Sequence, residues 1–466
     1  MTTPLRPDNI HRTALLAVHD GSQPTLQAAL NAHANTVVVL CIDERTCADV
    51  CGQAALLTAV VTAVRAFGTV FVLAAMPEAP ITAGVFTGCT LAAAVAKEGA
   101  RLISDHDPDE IDKHWPIVLI GADTPAPPAA NHATGSSHII LRVSWSGWVA
   151  RVRASAAPAP EATGPRCVLA SIAAAAMGVS EAFSVLRALP GSDAGFRSTV
   201  LNLWNPAGDP DNRGPELFHA PNAWWLVGLG HLGQAYSWAI SWLGYRDPAT
   251  VQIVLQDVDR TVPGNHSTGV LTPRGSDGQR KTRLVAARLE HAGFDTRIVE
   301  RRLGSDLRVT EAECHVALLG VDNLPTRQLT SGVGWLFVVD MGLGSGAASF
   351  GSLLMRRFPG AQRSDEVKAW KESPVPVAVP RSPAFDDLKE QHDECGVVEL
   401  AGKAVGASFV GVVAACIAVA EATRELHGGI GLDLLTLDLT TMVSDFAPAS
   451  RSWDVVSCPL IGVETH

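Results

Sequence analysis

The sequence predicts an α/β protein made of two successive units, each a central, mostly parallel sheet flanked by helices. Three observations predict it. Apolar runs of strand length alternate with runs of helix length along the chain. A Gly-x-Gly-x-x-Gly turn joins a strand to a helix in the second half. Three short patterns of the first half recur, in the same order, in the second.

In the first half, Thr36 to Ile42 (TVVVLCI) is a β-rich apolar run and predicts a strand. Gly52 to Phe67 predicts a helix, Thr69 to Ala74 a strand, and Thr90 to Lys97 a helix. Pro116 to Gly121 (PIVLIG) predicts a third strand, followed by Asp123. Ser137 to Val143 and Trp148 to Val152 read as strands, Pro158 to Pro165 as a loop, and Val168 to Leu189 as a long alanine-rich helix. Arg197 to Ala220 is rich in Gly, Pro, Asp and Asn and reads as the connection between units, which are drawn at 1–200 and 201–466.

The second half is organised around Trp224 to Asp259. Trp224 to Val227 predicts a strand; the chain turns through Gly228, Gly230 and Gly233, continues as an apolar helix, and ends in a strand closed by Asp257 and Asp259. Glycines in such a turn let backbone approach a phosphate, and the helix N-terminus offers N–H groups and partial positive charge. An acid at the end of the next strand is placed for ribose hydroxyls. These parts predict a nucleotide site.

The recurrences pair Gly52-Gln53-Ala54 with Gly233-Gln234-Ala235, and IVLIGADTP (Ile117 to Pro125) with VALLGVDNLP (Val316 to Pro325), setting Asp123 opposite Asp322. They also set Glu181 opposite Glu421. The first copy lacks the glycine turn and the acid pair, so it reads as a pseudo-domain. The second copy carries an insert, about residues 359–395, rich in Pro and charge. It reads as a surface crossover loop, too polar for core and partly mobile.

The 466 residues suffice for two or three domains, and 47% hydrophobic against 18% charged residues supports a large core. A net charge of −11 without a basic run argues against nucleic-acid binding. The polar start MTTPLRPDNIHR has no signal-peptide pattern, and the apolar segment Ala407 to Ala420 is too short to span a bilayer. A soluble, cytoplasmic protein with no membrane partner is expected. Nine scattered cysteines without a Cys-x-x-Cys pair predict neither a disulfide framework nor a zinc site.

The residues beyond the acids go past what a dehydrogenase needs. Asn265, Gly278-Gln279-Arg280-Lys281, Asp322-Asn323 and Arg327 follow in order. A lysine on the next helix can neutralise phosphates and leaving pyrophosphate, and a later aspartate can hold Mg²⁺. Here the second half, roughly Ala223 to Leu439, resembles the adenylyltransferase domain shared by ubiquitin-activating enzymes and the thiamine- and molybdopterin-biosynthesis activators. Asp257, Asp259 and Asn265 match that family's Asp-x-Asp and following Asn; Gly278 to Lys281 match its Gly-Gln-x-Lys; Val321-Asp322-Asn323 with Arg327, and Gly396-Val397 through Glu421, match its later motifs. The first half is similar to the inactive adenylation domain that ubiquitin-activating enzymes pair with the active one.

The resemblance implies ATP and Mg²⁺ as cofactors. Asp257 and Asp259, with Gly228, Gly230, Gly233 and Asn323, would hold the nucleotide, Lys281 its phosphates, and Asp322 the metal. Asn265 would position the reacting phosphate. The implied reaction is adenylation of the C-terminal glycine of a ubiquitin-like protein, then thioester capture and transfer to a conjugating enzyme. Such proteins resemble those of bacterial conjugation operons linked to antiphage defence. Two departures stand out. The family's arginine three residues after the Asn is Thr268 here, so a phosphate contact is missing or comes from Arg274 or Arg280. The family's zinc-binding cysteine pairs are absent.

Cys395 is the candidate acyl acceptor, because it ends the crossover insert just before Gly396-Val397. A helix N-terminus there would favour thiolate. Cys314 and Cys416 read as buried structural cysteines. Arg6 or Arg12 could reach the terminal phosphate from the pseudo-domain. His231 reads as a polar spacer facing ligand or solvent, and Trp224, Trp225, Trp238 and Trp242 as core. The alternatives are an activator of a sulfur-carrier protein or peptide without conjugation, an NAD(P)-dependent oxidoreductase, and a non-catalytic nucleotide-binding scaffold. The chain is expected as a monomeric pseudo-dimer or a homodimer.

Overall fold

In the computed structural model of the chain, which describes residues 5–103, 111–128, 138–159, 165–188, 192–310, 313, 315–371, 378–453 and 458–464, most strands gather into two large sheets and two form a small separate one. The first half runs α1 (Arg12–His19), α2 (Leu26–Ala34), β1 (Val37–Ile42), α3 (Glu44–Ala48), α4 (Val50–Ala63), β2 (Thr69–Ala74), α5 (Leu91–Glu98), β3 (Arg101–Leu102), β4 (Ile117–Ile120), β5 (Ile140–Ser146), β6 (Val149–Arg153), α6 (Val168–Arg187) and β7 (Ser198–Asn202). The second runs β8 (His219–Pro221), β9 (Ala223–Val227), α7 (His231–Ser241), β10 (Gln252–Gln256), α8 (Lys281–His291), β11 (Asp295–Val299), β12 (Val316–Leu319), α9 (Leu324–Gln328), β13 (Phe337–Leu343) and β14 (Ser352–Phe358). It closes with α10 (Lys368–Lys371), α11 (Pro383–Gln391), α12 (Glu394–Gly402), α13 (Ser408–Arg424), β15 (Leu432–Asp438), β16 (Ser444–Pro448) and β17 (Leu460–Gly462).

The strand orders β3-β2-β1-β4-β5-β6-β7 and β11-β10-β9-β12-β13-β14-β15 superpose term by term, with β16 added to the second sheet. In each, the first five strands are parallel and the remainder antiparallel. The order reverses between β1 and β4, and between β9 and β12, so each sheet opens a crevice at the carboxyl ends of that pair. The α/β class and the duplication are therefore as the sequence predicts.

Equivalent side chains keep equivalent jobs. Gln53 donates to the Cys47 carbonyl and Gln234 to the Leu229 carbonyl, each tying its helix to the turn before it. Glu181 accepts the Gly195 N–H and Glu421 the Leu432 N–H, each joining the long helix to the chain that follows.

The halves meet through α4, α6, α7 and α13, whose faces are apolar nearly all round. On its other side, α6 lies close on its own sheet: a Cβ on Gly178 would stand 2.4 Å from Val143 of β5. Polar pins cross the interface. Trp238 Nε1 donates to Thr58 (2.9 Å), Arg65 to the carbonyls of Gly269 and Thr272, and Ser408 to the Thr62 carbonyl. The four tryptophans expected in the core are buried. Helix α6, not the segment at Ala407, is the longest apolar helix among the described residues, and it lies inside the protein.

Three local expectations change. The connection read from Arg197 begins as strand β7, because Thr199, Leu201 and Asn202 bury against the sheet edge. The crossover insert is not merely a polar loop. Ala384, Phe385 and Leu388 recur at helical spacing on α11 and bury, with Phe385 edge-on to His19 of α1, and Trp370 of α10 packs on Phe358. Finally, Gly396-Val397 opens α12 rather than the terminal helix, which starts at Ser408.

A buried histidine group joins the N-terminal segment to the second half. The His11 and His33 rings meet at a tilt (centroids 4.1 Å apart), with His266 beside His11. Burial first, then neighbouring His33, His266 and Arg274, holds His11 well below its ordinary value. Burial lowers His33 and His266 to about 4. Because these folded-state values lie below the unfolded 6.5, the stability they contribute is complete above that pH. It is lost as pH falls from 6.5 toward 4. Thermal melts should therefore drop by about 1.4 kcal/mol per pH unit per histidine across this window, and His33→Gln should flatten the slope.

Candidate active site

Connections at the carboxyl ends of β9, β10 and β12 meet in one cleft of about 1100 Å³. Three residues join β9 to α7, and glycine is required at two of the three glycine positions around this turn. Gly228 has φ +82°, and a Cβ there would stand 2.9 Å from the Gly320 carbonyl. A Cβ on Gly233 would fall 2.0 Å from the Gly228 carbonyl, so Gly233 lets α7 pack on the turn and lies beneath the cleft rather than in it. Gly230 is different: a Cβ there would enter open space in the cleft. It leaves room for a group with the bulk of a phosphate at the head of α7.

Asp257 and Asp259 follow β10 and line the cleft. Asp257 accepts the N–H groups of Leu229 (2.6 Å) and Asp259 (2.7 Å), which fixes it beside the glycine turn. Lys281 is the first residue of α8, and its ammonium reaches Asp259 at 3.0 Å. Asn265 lines the cleft from the 263–267 turn, where its side-chain oxygen accepts the Val262 N–H (2.9 Å). Asp322 and Asn323 follow β12 on the cleft rim. Asn323 caps α9 by accepting the Thr326 N–H. Arg327 secures this rim from below: it donates twice to the Val321 carbonyl and pairs with buried Asp340 (3.1 Å). Burial raises Asp340 to about 7 against the pull of Arg327.

The cleft fits a nucleotide and one divalent cation. Arg12 enters it from α1 of the first half, and its buried Nη1 has no hydrogen-bond partner. A phosphate oxygen would satisfy it. Mg²⁺ is held through one or two carboxylates plus substrate phosphates, which a single rim aspartate can provide.

Most other candidates fall elsewhere. Arg6, Arg274 and Arg280 do not line the cleft; Arg280 donates instead to the Val258 carbonyl. His231 lines the cleft at the head of α7, half-buried, with its ring against Gly406 and Gly411; burial lowers it to about 4, so it is neutral. Cys395 is exposed on the first turn of α12, outside the cleft, while Gly402 at the other end of that helix lines it. Cys416 is buried in α13, as expected, and Cys314 lies outside the described residues. Asp8 and Lys403, which sequence reasoning missed, also line the cleft. No motif marks either one.

The equivalent crevice of the first half is built against phosphate. Asp43 stands after β1 where Gly228 stands after β9, and seven residues, including α3, replace the three-residue turn. The Asp43 carboxylate accepts from the Thr46 N–H and hydroxyl and from the Thr124 hydroxyl. Burial opposes its charge, but these hydrogen bonds outweigh burial and lower its pKa. Asp123, at the position of Asp322, faces Arg45 at 3.9 Å.

Residues 37–203 match the model of the BilD N-terminal domain and residues 220–429 that of the BilD C-terminal domain. The chain is 34% identical over 444 residues to the bacterial E1-like protein BilD of Collimonas sp. (strain OK412), covering 93% of this chain and 92% of that one. A solved structure, described as the crystal structure of E. coli MccB with MccA-N7isoASN, matches with a TM-score of 0.33 at 12% identity. That match covers 49% of this chain and 65% of the other, less than two thirds of its length, and extends to neither ligand nor chemistry. With both domain models matched in order and a full-length relative at this identity, the chain belongs to the BilD family of bacterial E1-like proteins.

Proposed function

We propose that this protein adenylates the C-terminal glycine of a ubiquitin-like protein with Mg-ATP, and that Cys395 then takes the acyl group for transfer to a conjugating enzyme. One observation carries the reading: Gly230, Asp257, Lys281 and Asp322 share a single cleft with Arg12 from the other half. A hydride-transfer site needs only the first two. In the first step a carboxylate oxygen of the terminal glycine attacks the α-phosphorus. The bond to the bridging oxygen breaks, and pyrophosphate leaves with the electron pair. Lys281 and Arg12 neutralise charge on the phosphates, Asp257 orients the ribose, and Asn265 borders the reacting centre. Asp322 would hold Mg²⁺, which supplies further neutralisation when bound. In the second step the Cys395 thiolate attacks the acyl carbon and AMP leaves.

The position of Cys395 favours a second reading, adenylation that stops before the thioester. Cys395 precedes Gly402 by seven residues on α12, about 10 Å of helical rise from the cleft. Two assays separate the readings. ATP–pyrophosphate exchange should depend on a glycine-ended protein, and an adduct sensitive to reducing agent should form and disappear in Cys395→Ala. Exchange without any adduct favours the second reading. Binding of NAD without ATP overturns both.

A further inference from the structure

The cleft lining carries two cations from segments far apart in sequence, Arg12 at the start of α1 and Lys403 at the end of α12. Both converge on one oxygen. Asp8 Oδ1 lies 2.7 Å from Lys403 Nζ and 3.8 Å from Arg12 Nη2. Arg12 Nη1, buried beside them, has no acceptor. Partial burial opposes the charge on Lys403, but hydrogen bonds to Asp8 and Glu399 outweigh it and raise its pKa. The same segment lies against the position where a phosphate contact was missing: a Cβ on Gly406 would stand 3.6 Å from the Thr268 methyl.

Resting on the ATP reading above, we propose that Lys403 and Arg12 form the seat for the terminal phosphates of the nucleotide, with Lys403 supplying the charge that Thr268 lacks, and that the Asp8 carboxylate competes with phosphate for this seat. Two cations held around a carboxylate oxygen have the spacing needed around a phosphate oxygen, and charge-assisted hydrogen bonds are the strong ones. The competition gives Asp8 and Lys403 opposite effects, although they form one ion pair.

Isothermal titration with Mg-ATP and with AMP tests this. Lys403→Ala should weaken ATP binding about tenfold or more and AMP binding less than about twofold, with Lys403→Arg restoring most of the loss. Asp8→Asn should tighten ATP binding. Retained AMP binding reports that each variant is folded. If Asp8→Asn and Lys403→Ala weaken ATP alike, the pair only secures α12 and the proposal is overturned. Equal losses for ATP and AMP in Lys403→Ala overturn it too. Wild-type protein that binds no ATP overturns the nucleotide reading and this seat with it, a result distinct from wild-type binding that Lys403→Ala leaves unchanged.

Discussion

Lys281→Ala should lower ATP–pyrophosphate exchange by about 10²- to 10³-fold while leaving the melting temperature unchanged. The two halves of this expectation come from one structural fact. Lys281 occupies the first position of α8, where the helix macrodipole is positive and a cation is disfavoured. Its ion pair with Asp259 is partly exposed on the aspartate side and contributes little to stability. The fold gains nothing from a lysine here. A phosphate in the cleft gains a cation reinforced by the same helix terminus. Removal should therefore separate activity from stability, as expected where a local rule is broken for function. Exchange within about threefold of wild type, or a large loss of stability with proportional loss of exchange, would show that Lys281 is not a phosphate ligand.

The parts of the site that could be read from the sequence are those whose position follows from a strand end. Gly228 and Asp257 come directly after a parallel strand and Asp322 is the third residue after one, and parallel strands deliver their following residues to one crevice. The match of Ile117–Pro125 with Val316–Pro325 was similarly legible, because β4 and β12 occupy the same place in their sheets. What escaped was set by packing. Asp8 and Lys403 stand 395 residues apart and meet only because the N-terminal turn and α12 lie together, pinned again where Leu5 N–H donates to Asp393. His231 borders the cleft, as a polar residue in the glycine turn suggests, but the hollow that Gly406 and Gly411 leave for its ring is not legible from the turn alone. The insert looked too polar for core, since composition hid the helical spacing of Ala384, Phe385 and Leu388.

The largest effect on stability should come from Arg357→Met. Arg357 lies on β14 with its side chain fully buried, between α13 and the start of β15. Its guanidinium pairs with Glu421 (3.3 Å), Glu425 and Asp433 (3.5 Å), and lies over the Phe337 ring. Burial raises Glu421, and Arg424 and Arg357 counter it. Arg424 in turn donates to the Leu203 carbonyl, so this group also ties the second half to the first. Methionine would fill much of the volume but leave two buried carboxylates short of a cation, at a cost of about 3–5 kcal/mol. Its dependence on pH has a fixed sign. A carboxylate whose folded pKa is raised opposes folding when ionised, so the deficit should be largest at neutral pH and narrow as pH falls toward the ordinary carboxylate range. Arg357→Met combined with Glu421→Gln should recover part of the loss, because the charge is removed along with its partner. Denaturant unfolding of the three proteins between pH 8 and about 5 measures both effects. A deficit below about 1 kcal/mol, or one that grows on acidification, would mean that Arg357 acts through packing rather than by neutralising Glu421.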